Sequence, residues 1–383
     1  MDYSYSLIAT SDGGYVLVGY TYSYGAGESD LWLVKTNSVG QAEWNRTIGG
    51  LRGDFGFSII KSSDGGYIIV GGTESFSAGS YDLWLVKTNI TGQVEWESTI
   101  GGPGADYGFS VIESSEGGYI LAGRTGSYGA GGEDAWLVKT DANGQVEWNH
   151  TFGGKSNDAA NSVIATTDGG YVFAGGTESN GVDGMDIWLV KTNVNGQVEW
   201  NQTIGGNRED LANAIISTPD GGFVVTGFTQ SYGAGGRDVW LIKTNGTGYS
   251  EWNHTFGGNG LDYADCIIST PDSGYMMAGR TESYGAGKSD MWVIKTTATG
   301  HLEWNHTFGG PNEEAAYSVI ATSDGGYVLV GRTASYSIGQ ADTWLIKIIL
   351  QDETSSSSRS VTGMPGFIVI LTFVVLMIVQ RKK

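Results

Sequence analysis

From Asp64 to Gly102 the chain reads DGGYIIVGGTESFSAGSYDLWLVKTNITGQVEWESTIGG. Asp64-Gly65-Gly66 is a turn signal, because glycine tolerates positive φ and the Asp carboxylate accepts bonds from nearby backbone N–H groups. Residues 67–73 and 83–88 are β-branched, apolar and aromatic runs of strand length. A second turn at residues 89–92 leads to another run at 94–99, and residues 57–61 supply one before Asp64. The unit therefore predicts four short strands, here called a, b, c and d in chain order. No helical periodicity occurs before residue 350.

Working outward, the same stretch returns every 52 residues. Its turn begins at Asp12, Asp64, Glu116, Asp168, Asp220, Asp272 and Asp324, with Ser273 once replacing Gly. The strand c tryptophan recurs at Trp32, Trp84, Trp136, Trp188, Trp240, Trp292 and Trp344. A strand d tryptophan recurs at Trp44, Trp96, Trp148, Trp200, Trp252 and Trp304. A fixed period of this kind is the signature of a repeat architecture. Strands b and c are almost continuously apolar, which implies burial on both faces. Sheets stacked around an axis satisfy that requirement, since each packs on two neighbours. The expectation is an all-β, seven-bladed β-propeller over residues 1–350. A parallel β-helix would use shorter rungs and less sharply punctuated hairpins.

The order a, b, c, d places the loops. The tight a–b and c–d turns share one face, and the longer b–c and d–a loops share the other. Variation between repeats concentrates on the second face, so a binding surface is expected there.

The third tryptophan series is one member short. After Leu350 the chain passes into Gln351-Asp352-Glu353-Thr354 and four serines, so the last blade is expected to lack its outer strand. Asp2 aligns with Asp54, which places Met1 inside a d–a loop. This predicts that an upstream Glu-Trp-Asn-x-Thr strand and an export signal precede the sequence, the alternative being a naturally three-stranded last blade.

The formal charge is −20, and all 41 acidic residues lie before residue 364. Such a surface repels phosphate backbones, which argues against a nucleic-acid partner. Cys266 is alone, so no intramolecular disulfide forms. A monomeric propeller is expected.

Residues 351–362 form a polar, Ser-rich linker. Residues 363–380 follow, with only Thr372 polar between Gly363 and Val379, and residues 381–383 are basic. This reads as a short transmembrane helix with a cytoplasmic C-terminus and the propeller outside, at the cell surface. Seven N-glycosylation sequons agree with an extracellular placement: Asn45, Asn89, Asn149, Asn201, Asn245, Asn253 and Asn305.

Several periodic residues are candidates for chemistry. The b–c loops carry Tyr24, Phe76, Tyr128, Tyr232, Tyr284 and Tyr336, with Asn180 in the fourth unit. These aromatics are the ligand-binding candidates, for surface glycans or proteins. Asp30, Asp82, Asp134, Asp186, Asp238, Asp290 and Asp342 precede strand c, and Asp54, Asp106, Asp158, Asp210, Asp262 and Glu314 close the d–a loops. Oxygen-rich rings can bind Ca²⁺, but one carboxylate of each kind per blade fits turn capping better. The strand c lysines, such as Lys35, are predicted to face strand d glutamates, such as Glu43, as cross-strand pairs. His150, His254 and His306 occupy one repeat position on different blades, so they are not expected to meet at a metal. Arg124, Arg280 and Arg332 end strand b on three blades. No catalytic residue and no metal site is assigned.

The unit, running from Trp-Asn-x-Thr-Phe-Gly-Gly to Gly-Gln-Val-Glu-Trp, resembles secreted propeller-repeat proteins of archaea and bacteria over residues 1–350. Its Lys-Thr-Asp-x-x-Gly-Gln-x-x-Trp end is similar to the tryptophan-docking motif of quinoprotein propellers, whose cofactor ligands have no counterpart here. Pro365-Gly366-Phe367, the apolar run and the basic end resemble the PGF-CTERM sorting signal of archaeal surface proteins. That resemblance implies removal of the helix by an archaeosortase and attachment of a lipid anchor. Two functions follow as expectations. One is a surface-anchored interaction or adhesion module using the b–c and d–a loops. The other is an extracellular glycan hydrolase or lyase with a site on the same face. No unit carries a distinctive insertion, which favours the first.

Overall fold

A computed structural model describes residues 1–337, 339–351 and 370–377. They form seven four-stranded antiparallel sheets, each a meander in the order a, b, c, d. In the second blade the strands are Asp54–Lys61, Tyr67–Thr73, Asp82–Thr88 and Val94–Ile100. Strands a of successive blades contact one another in a closed ring that runs from the seventh blade back to the first. Strands d are largely exposed at the rim. The molecule is a seven-bladed β-propeller.

Strand a begins three residues earlier than its pattern suggests, at Asp54 instead of residue 57. The cause is a bulge: pairing with strand b shifts between Gly56 and Ser58, leaving Phe57 unpaired. An extra residue breaks the alternation from which a strand is read.

Strands b and c are buried end to end, as their composition requires. Val16, Val18, Leu31 and Leu33 of the first blade pack on Ile59, Ile69, Trp84 and Val86 of the second. The ring closes in the same manner, with Leu7, Leu17 and Trp32 against Val328, Val330 and Leu345 of the seventh. Each fully buried aliphatic side chain contributes about 1.5–3 kcal/mol. On the loop face, each b–c loop is stitched to the strand that opens the next blade. Asp54 N–H donates to the Ser29 carbonyl at 2.9 Å, and Asp2 N–H donates to that of Ala341 at 3.0 Å across the closure.

The seventh sheet differs from the expectation. It has a fourth strand, Ile370–Met377, paired antiparallel with Asp342–Gln351. This strand lacks the Glu-Trp-Asn-x-Thr motif and comes from the segment read as a membrane helix. A sheet edge is a row of backbone donors and acceptors, so an extended segment can fill it without the motif that marks the other six. The rest of residues 351–369 beyond Gln351, and residues 378–383, lie outside the described residues, as do most of the linker and the ends of the expected helix. Among the described residues no helix is long and apolar enough to cross a membrane.

Candidate functional site

The two faces of the propeller are built differently. On the face of tight turns, the strand c lysine is buried and gathers charge from both hairpins. Lys87 Nζ lies 3.0 Å from Asp64 in the a–b turn, 2.6 Å from Glu95 on strand d, and donates to the Thr88 carbonyl at 3.0 Å. The lysine–glutamate pairing is present as predicted, at 2.8 Å for Lys35 and Glu43, but its register is not. Lys35 is paired with Trp44, and a bulge between Lys35 and Thr36 leaves Glu43 as the extra residue. The turn aspartate, missed in the sequence reading, is the lysine's second partner. These networks recur around the ring and hold turns together.

On the loop face, the d–a aspartates cap turns. Asp54 Oδ1 accepts from the Thr73 hydroxyl at 2.5 Å, while Oδ2 accepts from Ser75 Oγ at 2.6 Å and Gly50 N–H at 2.8 Å. The strand c aspartates stand beside them: a Cβ at Gly101 would come 2.2 Å from Asp82 Oδ1 and 2.7 Å from Asp106 Oδ2. Burial, and then the charge of Asp106, raise the pKa of Asp82. Among the described residues no three of His, Cys, Asp and Glu come together as metal ligands.

The b–c loop tyrosines do not converge. Each lies against the strand c tryptophan of its own blade, at 5.2 Å for Tyr232 and Trp240 and 5.4 Å for Tyr284 and Trp292. Tyr128, Tyr284 and Tyr336 donate their hydroxyls to the carbonyls of Gly101, Gly257 and Gly309 at 2.7–2.9 Å. Phe76, Tyr128, Tyr232, Tyr284 and Tyr336 each stay about half exposed, while Tyr24 is more covered, so the series forms separate platforms around the loop face.

One platform borders a groove of about 480 Å³ in the fifth blade. Asn207 and Arg208 of the preceding d–a loop line one side, and Gln230, Ser231 and Tyr232 the other. The main chain is pinned there: Arg208 N–H donates to Ser231 Oγ at 3.1 Å, and the Tyr232 hydroxyl donates to the Gly205 carbonyl at 3.1 Å. In the second blade the equivalent Arg52 is paired with Glu74 at 3.2 Å. In the fifth blade Gln230 stands where Glu74 does, and among the described residues no carboxylate lies within ion-pair distance of the Arg208 side chain.

The repeat is broken a second time at the axis. The residue left unpaired by the strand a bulge is Tyr5, Phe57, Phe109, Asn161, Asn213, Asp265 and Tyr317 around the ring. Four consecutive blades thus present aromatics, with ring centroids 4.7 Å apart for Tyr5 and Tyr317 and 5.4 Å for Tyr5 and Phe57. The other three present polar groups. Asn161 and Asn213 donate to the carbonyls of Ala212 and Ala264 on the next blades, at 2.9 and 3.0 Å. Asp265 accepts from Asn213 at 3.3 Å, and its Oδ2 is buried with no hydrogen-bond partner among the described residues. Burial raises its pKa to about 6 against the opposing charge of Arg280. The same burial, with the hydroxyls around it, pushes Tyr5 well above the usual phenol range. A sequence scan for strand alternation passes over this ring, because the bulged residue is out of phase; aligning the repeats column by column is the signal that finds it.

The strand b arginines do not form a triad. Arg124 and Arg332 are paired with Glu133 and Glu313 at 2.9 and 3.3 Å. Arg280 lies over the Tyr263 ring at 4.1 Å. The His254 ring comes within 4.8 Å of His301, a histidine of the next c–d turn and not one of the three that share a repeat position. Of the sequon asparagines, Asn149, Asn253 and Asn305 accept from the indole N–H of Trp136, Trp240 and Trp292 at 3.1–3.3 Å. Asn89 and Asn245 hold c–d turns, their Oδ1 atoms accepting from Thr91 and Thr247 N–H.

No family model matches the chain. Its sequence is 28% identical over 178 residues to the regulatory protein FlaEY of Caulobacter vibrioides, a match spanning 40% of this chain and 18% of that protein. Among solved structures, puromycin hydrolase superposes with a TM-score of 0.54 at 14% identity, over 91% of this chain and 52% of that one. BBS1N in complex with ARL6DN gives 0.50 at 10% identity, over 89% and 91%. Sqt1 from Chaetomium thermophilum gives 0.50 at 11%, over 90% and 81%. At these identities the likeness is one of fold.

Proposed function

We propose that this propeller is a surface-displayed interaction module that binds its ligand through the b–c and d–a loops. The observation that carries the reading is the unequal use of the two faces. The tight-turn face spends its charged groups on the same internal network in blade after blade, as at Lys87 and Lys191. The loop face keeps half-exposed aromatic platforms and, beside a groove, an Arg208 with no carboxylate in ion-pair distance among the described residues. BBS1N, a propeller-like neighbour solved in complex with ARL6DN, is in keeping with a protein partner, and the platforms suit a glycan equally.

In the same proposal the apolar segment at residues 363–380 attaches the protein to the membrane, as a retained helix or through a lipid that replaces it. Membrane insertion requires Ile370–Met377 to leave the strand it pairs with. The propeller is extracellular, with sugars on accessible sequons such as Asn201, and Ca²⁺ is a candidate ligand of the paired loop carboxylates. A glycan hydrolase or lyase is the second reading, favoured by Asp265 with its raised pKa beside Arg280 and Tyr317. The test is a screen of the full chain against glycans and surface proteins, with and without Ca²⁺. Ligands should be lost on substitution of loop-face residues such as Tyr128 and Tyr284 and kept on substitution at Asn193 in a c–d turn. Turnover abolished by Asp265→Asn alone would instead support the enzyme. Fractionation and the mass of the protein made in its own cells test the anchor and the sugars.

A further inference from the structure

We infer that the groove of the fifth blade is a site for a carboxylated sugar, a uronic acid residue at the end of a glycan. This rests on the reading of the loop face as the binding face and names what that face takes. The cavity, about 480 Å³, is within the range of small-molecule sites. Its one cation is Arg208, and the comparison with the second blade shows what is special about it. There the loop arginine Arg52 is neutralised by Glu74, whereas Gln230 leaves Arg208 charged and offers an amide in place of the acid. A guanidinium with no carboxylate partner among the described residues is suited to an external carboxylate, which it engages through two parallel bonds. Asn207 and Gln230 add amide donors and acceptors for hydroxyls. The Tyr232 ring, held by its hydroxyl bond and by Trp240, is a rigid face for a sugar ring.

The charge of the whole protein narrows the ligand further. A chain at −20 repels densely acidic polymers, so a lone carboxylate on an otherwise neutral glycan fits better than a polyuronate. A single guanidinium likewise suits a monoanion better than a phosphate.

The experiment is a calorimetric or NMR titration of the full chain with a glucuronosyl-glucose disaccharide, the matched neutral disaccharide, acetate and sulfate. The acidic disaccharide should bind, and the neutral one at least about tenfold more weakly, in line with the loss of one charged hydrogen bond. Arg208→Gln should weaken the acidic disaccharide about as much. Gln230→Glu should do the same by recreating the Arg52–Glu74 arrangement, while Arg52→Gln should leave binding unchanged. Equal binding of the neutral disaccharide, equal binding of acetate or sulfate, or full binding by Gln230→Glu would each overturn the assignment. Its failure is separable from that of the parent reading. Ligands that depend on the loop face but ignore Arg208→Gln leave the interaction module standing and remove only this site.

Discussion

Trp44, on the outer strand of the first blade, covers Gly92 in the c–d turn of the second, so that a Cβ there would come 2.6 Å from the indole ring. The contact repeats between Trp96 and Gly144, Trp148 and Gly196, Trp200 and Gly248, and Trp252 and Gly300. Each of these five outer tryptophans is therefore an inter-blade clamp, and the glycine that closes the c–d turn beneath it is required for two reasons. Its φ is positive, at 75° for Gly92, and its face is occupied by a ring.

Gly92→Ala should therefore cost more than Gly65→Ala. Gly65 also has positive φ, at 94°, but nothing lies within 4 Å of its Cβ direction. The expected loss is about 1 kcal/mol at Gly65, from backbone conformation alone, and about 2–4 kcal/mol at Gly92, where overpacking adds to it. Urea denaturation of the two variants measures the difference, and equal losses would show that the indole yields freely.

Lys191→Met should destabilise the protein by about 1–3 kcal/mol at neutral pH, because three charge-assisted bonds, to Asp168, Glu199 and the Thr192 carbonyl, are lost together. It should also flatten the acid limb. The Thr166 hydroxyl and the Lys191 ammonium hold Asp168 at about 2, below its value in an unfolded chain of about 4. Stability from such a depressed carboxyl is present above pH ~4 and lost as pH falls toward ~2. Denaturation midpoints at pH 7 and pH 3 should converge in the variant relative to the parent.

Asp265→Asn should stabilise the protein above pH 6. Burial raises the folded-state pKa of Asp265 to about 6, so the native state prefers its protonated form. That preference supports folding below pH ~4 and is lost as pH rises through ~6. Asparagine removes the titration and can donate to the Ala316 carbonyl, as Asn161 and Asn213 do one blade earlier each time to Ala212 and Ala264. A gain of roughly 1–3 kcal/mol at pH 8 and none at pH 4 is expected, read by thermal melts at both pH values.

Cys266 should be inert in the native protein. Burial, and next the neighbouring Asp265 carboxylate, push its thiol far above the ordinary range, so little thiolate exists at pH 8. Titration with a chromogenic disulfide should give no reaction until denaturant is added, then one equivalent, matching the single cysteine.

The architecture is legible in the amino-acid order alone. A 52-residue clock with two apolar strands per turn of the clock has few solutions, because strands b and c cannot be buried on both faces without neighbouring sheets. That order also determined the Lys35–Glu43 pairing and the division into a constant face and a variable one, since both follow from the hairpin order. What it left open depended on phase and on contacts between repeats. The bulge in strand a throws one residue per blade out of phase, so Tyr317, Tyr5, Phe57 and Phe109 meet ring to ring while Asn161, Asn213 and Asp265 occupy the other three blades, residues scattered across hundreds of positions of chain. The missing acid beside Arg208 becomes meaningful only once the d–a and b–c loops lie together, because an ion pair is a matter of distance and not of order along the chain. The outer strand of the seventh blade was likewise decided in three dimensions: backbone hydrogen bonding accepts Ile370–Met377 at an open edge without asking for the tryptophan that labels every other outer strand.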